Sequence, residues 1–376
     1  MFYIVLEKYI PGTAPTNRIL SYAKALSEQG IPATIVFLFP NQTGERVEIS
    51  YKHIEFKYLW LNIFSFNKYL KWIVAKAYLR YFIMLLKKGD VVYLYNNSEL
   101  IDLFTKIEGV KVYHERTEHP AAHEKIYTRF KRITIDYYYE SCKRLDGLFV
   151  ISTALKRLFL EKGIAENKIH ILNITVDSER FEGLQKNDSQ KYIAYCGTAS
   201  NNKDGVDSLI RAFSIFSKQV SNYTLIIIGK TPSIADESKN LQLIKKLDLQ
   251  DKIQFTGFVS PDKMPQILKN ASILALDRPD NLQAKYGFPT KLGEYLLSQN
   301  PVIVTKVGEI PLFFENKVNA ILVNPGDDKA FADGLLWLVN NQNEATMIGE
   351  RGAEIANKQF NYYTVTKKIV EVIYKK

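Results

Sequence analysis

Short apolar runs alternate with longer stretches of helical apolar spacing along all 376 residues, and this alternation points to parallel sheets with helices on both faces. The runs Tyr3–Leu6, Thr34–Phe39, Val91–Tyr95, Lys111–Tyr113, Leu148–Ile151 and Lys168–Leu172 form a first series of predicted strands. A second series comprises Tyr192–Cys196, Thr224–Ile228, Ile253–Phe255, Ile273–Leu276, Val302–Thr305 and Ile321–Val323. Between them the stretch 182–190 is polar and without pattern, which reads as a linker. The expected fold class is therefore α/β, with Rossmann-like, doubly wound domains over 1–180 and 190–358 and a closing helical segment over 361–376. A prior of roughly 150 residues per domain agrees.

The charged and apolar fractions, 24% and 46%, are ordinary for a globular protein. Cys142 and Cys196 are too few for a disulfide framework and wrongly placed for zinc, so a reducing cytoplasm is the expectation. The opening Met-Phe-Tyr-Ile-Val-Leu-Glu has neither a basic n-region nor a cleavage site, and secretion is not expected. The net charge of +10 is uneven: residues 51–88 hold eight Lys and Arg against Glu55 alone, interleaved with Tyr58, Trp60, Phe64, Phe66, Tyr69 and Trp72 among other aromatics. Those cations recur too often for a membrane-spanning helix, which needs about 20 mostly apolar residues. A basic amphipathic segment instead suits an anionic membrane surface, placing the protein peripherally on the inner face of the membrane. A helix that packs its apolar face on its own domain explains the same pattern. No nucleic-acid partner is expected, because no binding motif accompanies the cluster.

The densest chemistry lies in Tyr286-Gly-Phe-Pro-Thr-Lys-Leu-Gly-Glu294-Tyr-Leu-Leu-Ser-Gln-Asn-Pro301-Val-Ile-Val-Thr305. Gly287 and Pro289 break regular structure, Thr290 is a good N-cap, and Asn300-Pro301 stops the helix before a buried strand. Loop, helix start and strand in that order aim backbone N–H groups at a phosphate or sugar hydroxyls, with Glu294 one turn in. This segment resembles the sugar-nucleotide motif of glycosyltransferase family 4, whose GT-B fold sets two Rossmann-like domains about a central cleft. The family's pattern has a Glu, a Gly-Phe-Gly-like turn, a second Glu eight positions on, and a Pro-Val-Ile strand seven positions later. Glu294 takes the second place and Pro301 keeps the distance, while Tyr286 stands where the first Glu belongs. The resemblance implies donor contacts from Tyr286, Gly287, Phe288, Thr290 and Lys291, with Glu294 in the catalytic centre. It also implies that the final helix packs back on the first domain.

Upstream, Tyr195-Cys-Gly197-Thr198 leads through Lys203-Asp-Gly205 into a helix with apolar residues at 206, 209, 210 and 213, a plausible diphosphate seat. The family's strand-end Arg is replaced by Thr198, and Lys203 is the first choice for the phosphate cation. Phe258, in Thr256-Gly-Phe-Val259, resembles the family's base contact, and 150–181 resembles its interdomain passage. In the first domain, Pro11-Gly12-Thr-Ala-Pro15-Thr16-Asn17-Arg18 joins the first strand to the first helix. Gly12 allows close approach to a ligand, and Thr16 is a possible cap. The family turns this loop toward acceptor and donor, which puts Arg18 on the acceptor side. The run Tyr113-His114-Glu115-Arg116-Thr117-Glu118-His119-Pro120 lacks the His spacing of a metal site. His119 best fits the family's histidine loop near the transferred sugar, with His114 as the alternative.

No pair of carboxylates suggests hydrolysis. The resemblance implies a transferase that moves a hexose-like sugar from a nucleotide diphosphate donor to a glycan or lipid-linked acceptor, with retention, no metal and no cofactor beyond the donor. A sugar-nucleotide-binding protein of GT-B shape that has lost catalysis, and a sugar-nucleotide epimerase, remain as alternatives.

Overall fold

A computed structural model describes residues 1–41, 44–60, 68–122 and 134–374. The chain divides into two compact units, Met1–Ile174 with Tyr362–Lys376 and Thr175–Asn361. In the first, β1 (Phe2–Lys8), β2 (Ala33–Phe39), β3 (Ile54–Tyr58), β4 (Val91–Tyr95), β5 (Lys111–Arg116), β6 (Gly147–Val150) and β7 (Ile169–Ile171) form one sheet in the order β3-β2-β1-β4-β5-β6-β7. Every pairing is parallel. Helices cover both faces of such a sheet, which is why β2 and β4 are buried along their whole length and read as unbroken apolar runs.

The second unit repeats the design with β8 (Tyr192–Cys196), β9 (Thr224–Ile228), β10 (Ile253–Gly257), β11 (Ile273–Leu276), β12 (Val302–Thr305) and β13 (Ile321–Val323). Their order is β10-β9-β8-β11-β12-β13, again all parallel. Both units are therefore Rossmann-like.

The helix Tyr362–Tyr374 belongs to the first unit. Val365, Ile369 and Ile373 recur every four residues on one face and enter the core formed by Phe2, Ile4, Tyr22 and Leu26. Tyr362 ties the start of this helix to Glu28 through a 2.7 Å hydrogen bond.

Three local expectations need correction. The segment 51–88 is not one helix: β3 occupies Ile54–Tyr58 as an edge strand, and α2 (Lys68–Leu85) begins later. Its half-exposed Ile-Glu-Phe-Lys-Tyr pattern is that of an edge strand with one face wet, which the surrounding charge disguised. Residues 61–67 of that segment, with Phe64 and Phe66, lie outside the described residues. Thr290 is the first residue of its helix, after Pro289 at the N-cap. Thr16 lies inside α1 (Ala14–Glu28), where its hydroxyl accepts from the Ile10 N–H at 3.1 Å and so fixes the preceding loop.

Candidate functional site

Strand order reverses between β8 and β11 in the second unit, and ligands of open α/β sheets gather at the carboxyl ends of strands beside such a reversal. The residues leaving those two strands build a charged cluster there. Asp204 and Arg278 are each about 97–98% buried, with Arg278 Nε 3.7 Å from the Asp204 carboxylate. The Lys291 ammonium, on the helix Thr290–Leu297, also pairs with Asp204 and donates to the Tyr195 hydroxyl at 2.9 Å. That hydroxyl lies 2.6 Å from the Thr198 carbonyl oxygen and 2.8 Å from Asp204, with one proton to give to either. Burial alone raises the Asp204 carboxyl, but Lys291 and Arg278 outweigh it and hold the group below the usual range. Two cations thus meet at one buried carboxylate just beyond β8.

Two glycines make this approach possible. Gly197, at φ +148, leaves room for the Lys291 ammonium where a Cβ would overlap it. Gly205, at φ +64, starts the helix Val206–Phe216 directly against the Asp277 carbonyl oxygen, which a Cβ would strike. The helix Thr290–Leu297 is itself clamped to β8, since the Tyr295 hydroxyl accepts from Cys196 N at 2.5 Å and donates to Cys196 O at 3.1 Å.

Glu294 follows Lys291 by one turn. Its Oε1 pairs with Arg180, and the other arm of that guanidinium donates to the Pro261 carbonyl oxygen at 2.6 Å. The Glu294 charge reaches the end of β8: burial first, and Glu294 second, push the Cys196 thiol up to about 12. Phe258, which follows β10, is 61% exposed, with the Lys230 ammonium 5.5 Å from its ring centre.

The structure therefore brings Lys291, Glu294, Gly287, Thr290 and Thr198 to one end of the sheet. Lys203 is half-exposed on the short helix Asn201–Asp204, whose Ser200 cap accepts the Lys203 N–H at 3.2 Å. The charged cluster is built around its neighbour Asp204 instead. Tyr286 ends the helix Leu282–Tyr286 beside Lys285. Phe288 is buried against Phe313 and Phe360 with ring centres 5.5 and 5.4 Å away, a packing role that fits poorly with donor contact.

In the first unit, Gly12 adopts φ +75 in the loop before α1. Arg18 and His114 do not fit the acceptor-side reading, because both are enclosed. Arg18 Nε pairs with Glu115 at 2.5 Å, and the same carboxylate takes the Tyr22 and Tyr93 hydroxyls at 3.0 and 2.6 Å. His114 is fully buried, its ring nitrogens 3.0 Å from Leu94 O and 3.1 Å from the Tyr138 hydroxyl. Burial, then the Arg116 charge, pull its pKa down to about 3. His119 is only partly covered and accepts the Ala121 N–H at Nδ1, 3.0 Å away. Burial and Arg116 lower its pKa too.

Sequence reasoning passed over Arg180, Asp204, Arg278 and Tyr195. Their signal was weak: each acts through a partner far along the chain.

Comparison with known proteins gives a consistent picture. Residues 176–355 match the family described as glycosyl transferases group 1. An uncharacterised glycosyltransferase of Methanocaldococcus jannaschii is 23% identical over 296 residues, covering 74% of this chain and 72% of that protein. N-acetyl-alpha-D-glucosaminyl L-malate synthase of Bacillus anthracis is 25% identical over 169 residues, covering 45% of this chain and 42% of the enzyme. Among solved structures, Anabaena HepE in complex with UDP aligns with a TM-score of 0.74 over 99% of both chains, at 16% identity.

Proposed function

We propose, for a chain that belongs through residues 176–355 to the glycosyl transferases group 1, that it moves a sugar from a nucleotide diphosphate sugar to a glycan or lipid-linked acceptor. The observation that carries this reading is the buried Lys291 ammonium at the β8–β11 reversal, held by Asp204 and standing over the Gly197 turn. A departing diphosphate needs charge compensation rather than a strong acid, and a preorganised buried cation supplies it without reorganisation. Lys291 is only 16% exposed, so its field is little screened. Glu294 faces the donor's ribose, Phe258 the base, and Lys203 the outer phosphate. Transfer proceeds with retention and needs no metal, the leaving phosphate assisting the acceptor on the same face.

The first test is a thermal-shift screen of nucleotide sugars, because a ligand that binds only the folded state stabilises it by mass action. UDP-sugars are the first to try, since HepE was solved with UDP. Release of nucleoside diphosphate in the presence of an acceptor completes the assignment. Donor binding without turnover would favour a binding protein, and donor consumption without acceptor an epimerase. His119→Ala is expected to lower turnover while leaving nucleoside diphosphate affinity intact. Equal loss of both would remove His119 from the sugar side.

A peripheral membrane location goes with a lipid-linked acceptor. From residue 73 onward α2 leaves Ile73, Tyr81, Met84 and Leu85 exposed, with Arg80, Lys87 and Lys88 exposed alongside. No helix among the described residues is long and apolar enough to cross a membrane. An apolar face flanked by cations instead fits the boundary of an anionic leaflet, where each cation contributes about 1 kcal/mol at low salt. Changing Lys76, Arg80, Lys87 and Lys88 to Gln is expected to abolish co-sedimentation with phosphatidylserine vesicles and to leave donor binding unchanged. Binding that survives the change, or that is absent from the parent protein at low salt, would return this face to a purely structural role.

A further inference from the structure

The pairing of Arg180 with Glu294 asks for an explanation beyond stability. Both side chains are partly exposed, 30% and 26%, and an ion pair so placed adds little to folding. Its geometry is nevertheless specific. One arm of the guanidinium holds Glu294 Oε1 on the helix Thr290–Leu297, and the other holds the Pro261 carbonyl oxygen in the loop after β10. Pro261 lies three residues beyond Phe258, the exposed ring with Lys230 beside it. Arg180 comes from a third place, the turn Ser178–Phe181 at the start of the second unit.

We propose that Arg180 is a positioning residue for the nucleoside half of the donor: its fork sets the Glu294 carboxylate at a fixed distance from the loop that carries Phe258. The inference rests on the donor reading above. A carboxylate on a rotatable side chain samples several orientations, and an arginine that grips one oxygen leaves the second aimed in one direction. Glu294 makes its described hydrogen bond through Oε1, so Oε2 remains for a ribose hydroxyl. The planar fork fits this task better than a lysine, because its donors are fixed in one rigid plane whereas an ammonium turns freely on its flexible stem and fixes no direction. Lys291 and its partners are untouched by this arrangement. The diphosphate and nucleoside parts of the site are therefore held by separate devices.

That separation makes the proposal testable. Affinities for UDP, GDP, ADP and inorganic pyrophosphate are measured by calorimetry for the parent protein and for Arg180→Ala, Arg180→Lys, Glu294→Ala and the Arg180→Ala/Glu294→Ala pair, with thermal midpoints alongside. Arg180→Ala is expected to weaken the best-binding nucleoside diphosphate tenfold or more and pyrophosphate less than twofold. Arg180→Lys, which keeps the charge and serves as the second variant should the alanine variant fail to fold, should recover only part of the loss. In the Glu294→Ala background, removing Arg180 should change nucleoside diphosphate affinity less than twofold, since Arg180 then has nothing to position. Equal losses for pyrophosphate and nucleoside diphosphate, independent losses that multiply in the pair, or full affinity in both Arg180 variants would each overturn the proposal. A parent protein that binds none of the three nucleoside diphosphates overturns the donor reading itself, a result distinct from any produced by the variants.

Discussion

Glu294→Ala is expected to weaken nucleoside diphosphate binding by about 1.5–3 kcal/mol, the scale of one charge-assisted hydrogen bond lost from a partly enclosed site. At 25 °C this is roughly a 10- to 150-fold rise in the dissociation constant. Lys203→Ala should cost less, because the side chain is half-exposed and its charge is screened. Titration calorimetry with UDP and GDP measures both. Unchanged affinity in the two variants would dissolve the site assignment, whereas a larger loss for Lys203 would move the phosphate outward from Lys291.

His114 carries the second large effect, and it concerns stability rather than binding. The folded chain keeps its ring neutral down to about pH 3, since burial and then Arg116 oppose protonation, while an unfolded histidine takes its proton near 6.5. Between those values the unfolded state binds more protons, so stability falls as the pH falls. The loss is absent above 6.5 and complete near 3. One group contributes up to about 1.4 kcal/mol per pH unit, roughly 2 kcal/mol by pH 5. Urea midpoints between pH 7.5 and 4 should therefore decline more steeply for the parent than for His114→Gln. Parallel declines would show that the ring becomes charged without cost.

These two residues mark what the sequence could and could not display. Glu294 was legible because the motif around it is local: loop, helix and strand succeed one another within twenty residues, and spacing alone carries the geometry. The strand series was legible for the same reason, since parallel strands buried on both faces leave unbroken apolar runs such as Val91–Tyr95. His114 was not. Its place at the start of a charged run suggested polar surroundings, but β5 alternates its side chains across the sheet and turns this ring toward Tyr138, which follows later in the chain. Asp204 looked like an interruption between Lys203 and Gly205. Its partners, Lys291 and Arg278, stand 87 and 74 positions away, a separation no local pattern encodes. Arg180 meets Glu294 across 114 positions and was hidden in the same way.

The placement of Tyr362–Tyr374 in the first unit sets the order in which the two halves of the molecule are completed on the ribosome. Residues 175–361 emerge as one continuous stretch and contain every strand of their own sheet. The half that is translated first must wait: until the last helix is added, Phe2, Ile4, Tyr22 and Leu26 lack the side chains that cover them. Synthesis of the intervening residues takes roughly ten to forty seconds at typical elongation rates. During that interval the nascent amino-terminal half presents an apolar groove shaped for one particular helix, the stretch of its life in which chaperones have most to hold.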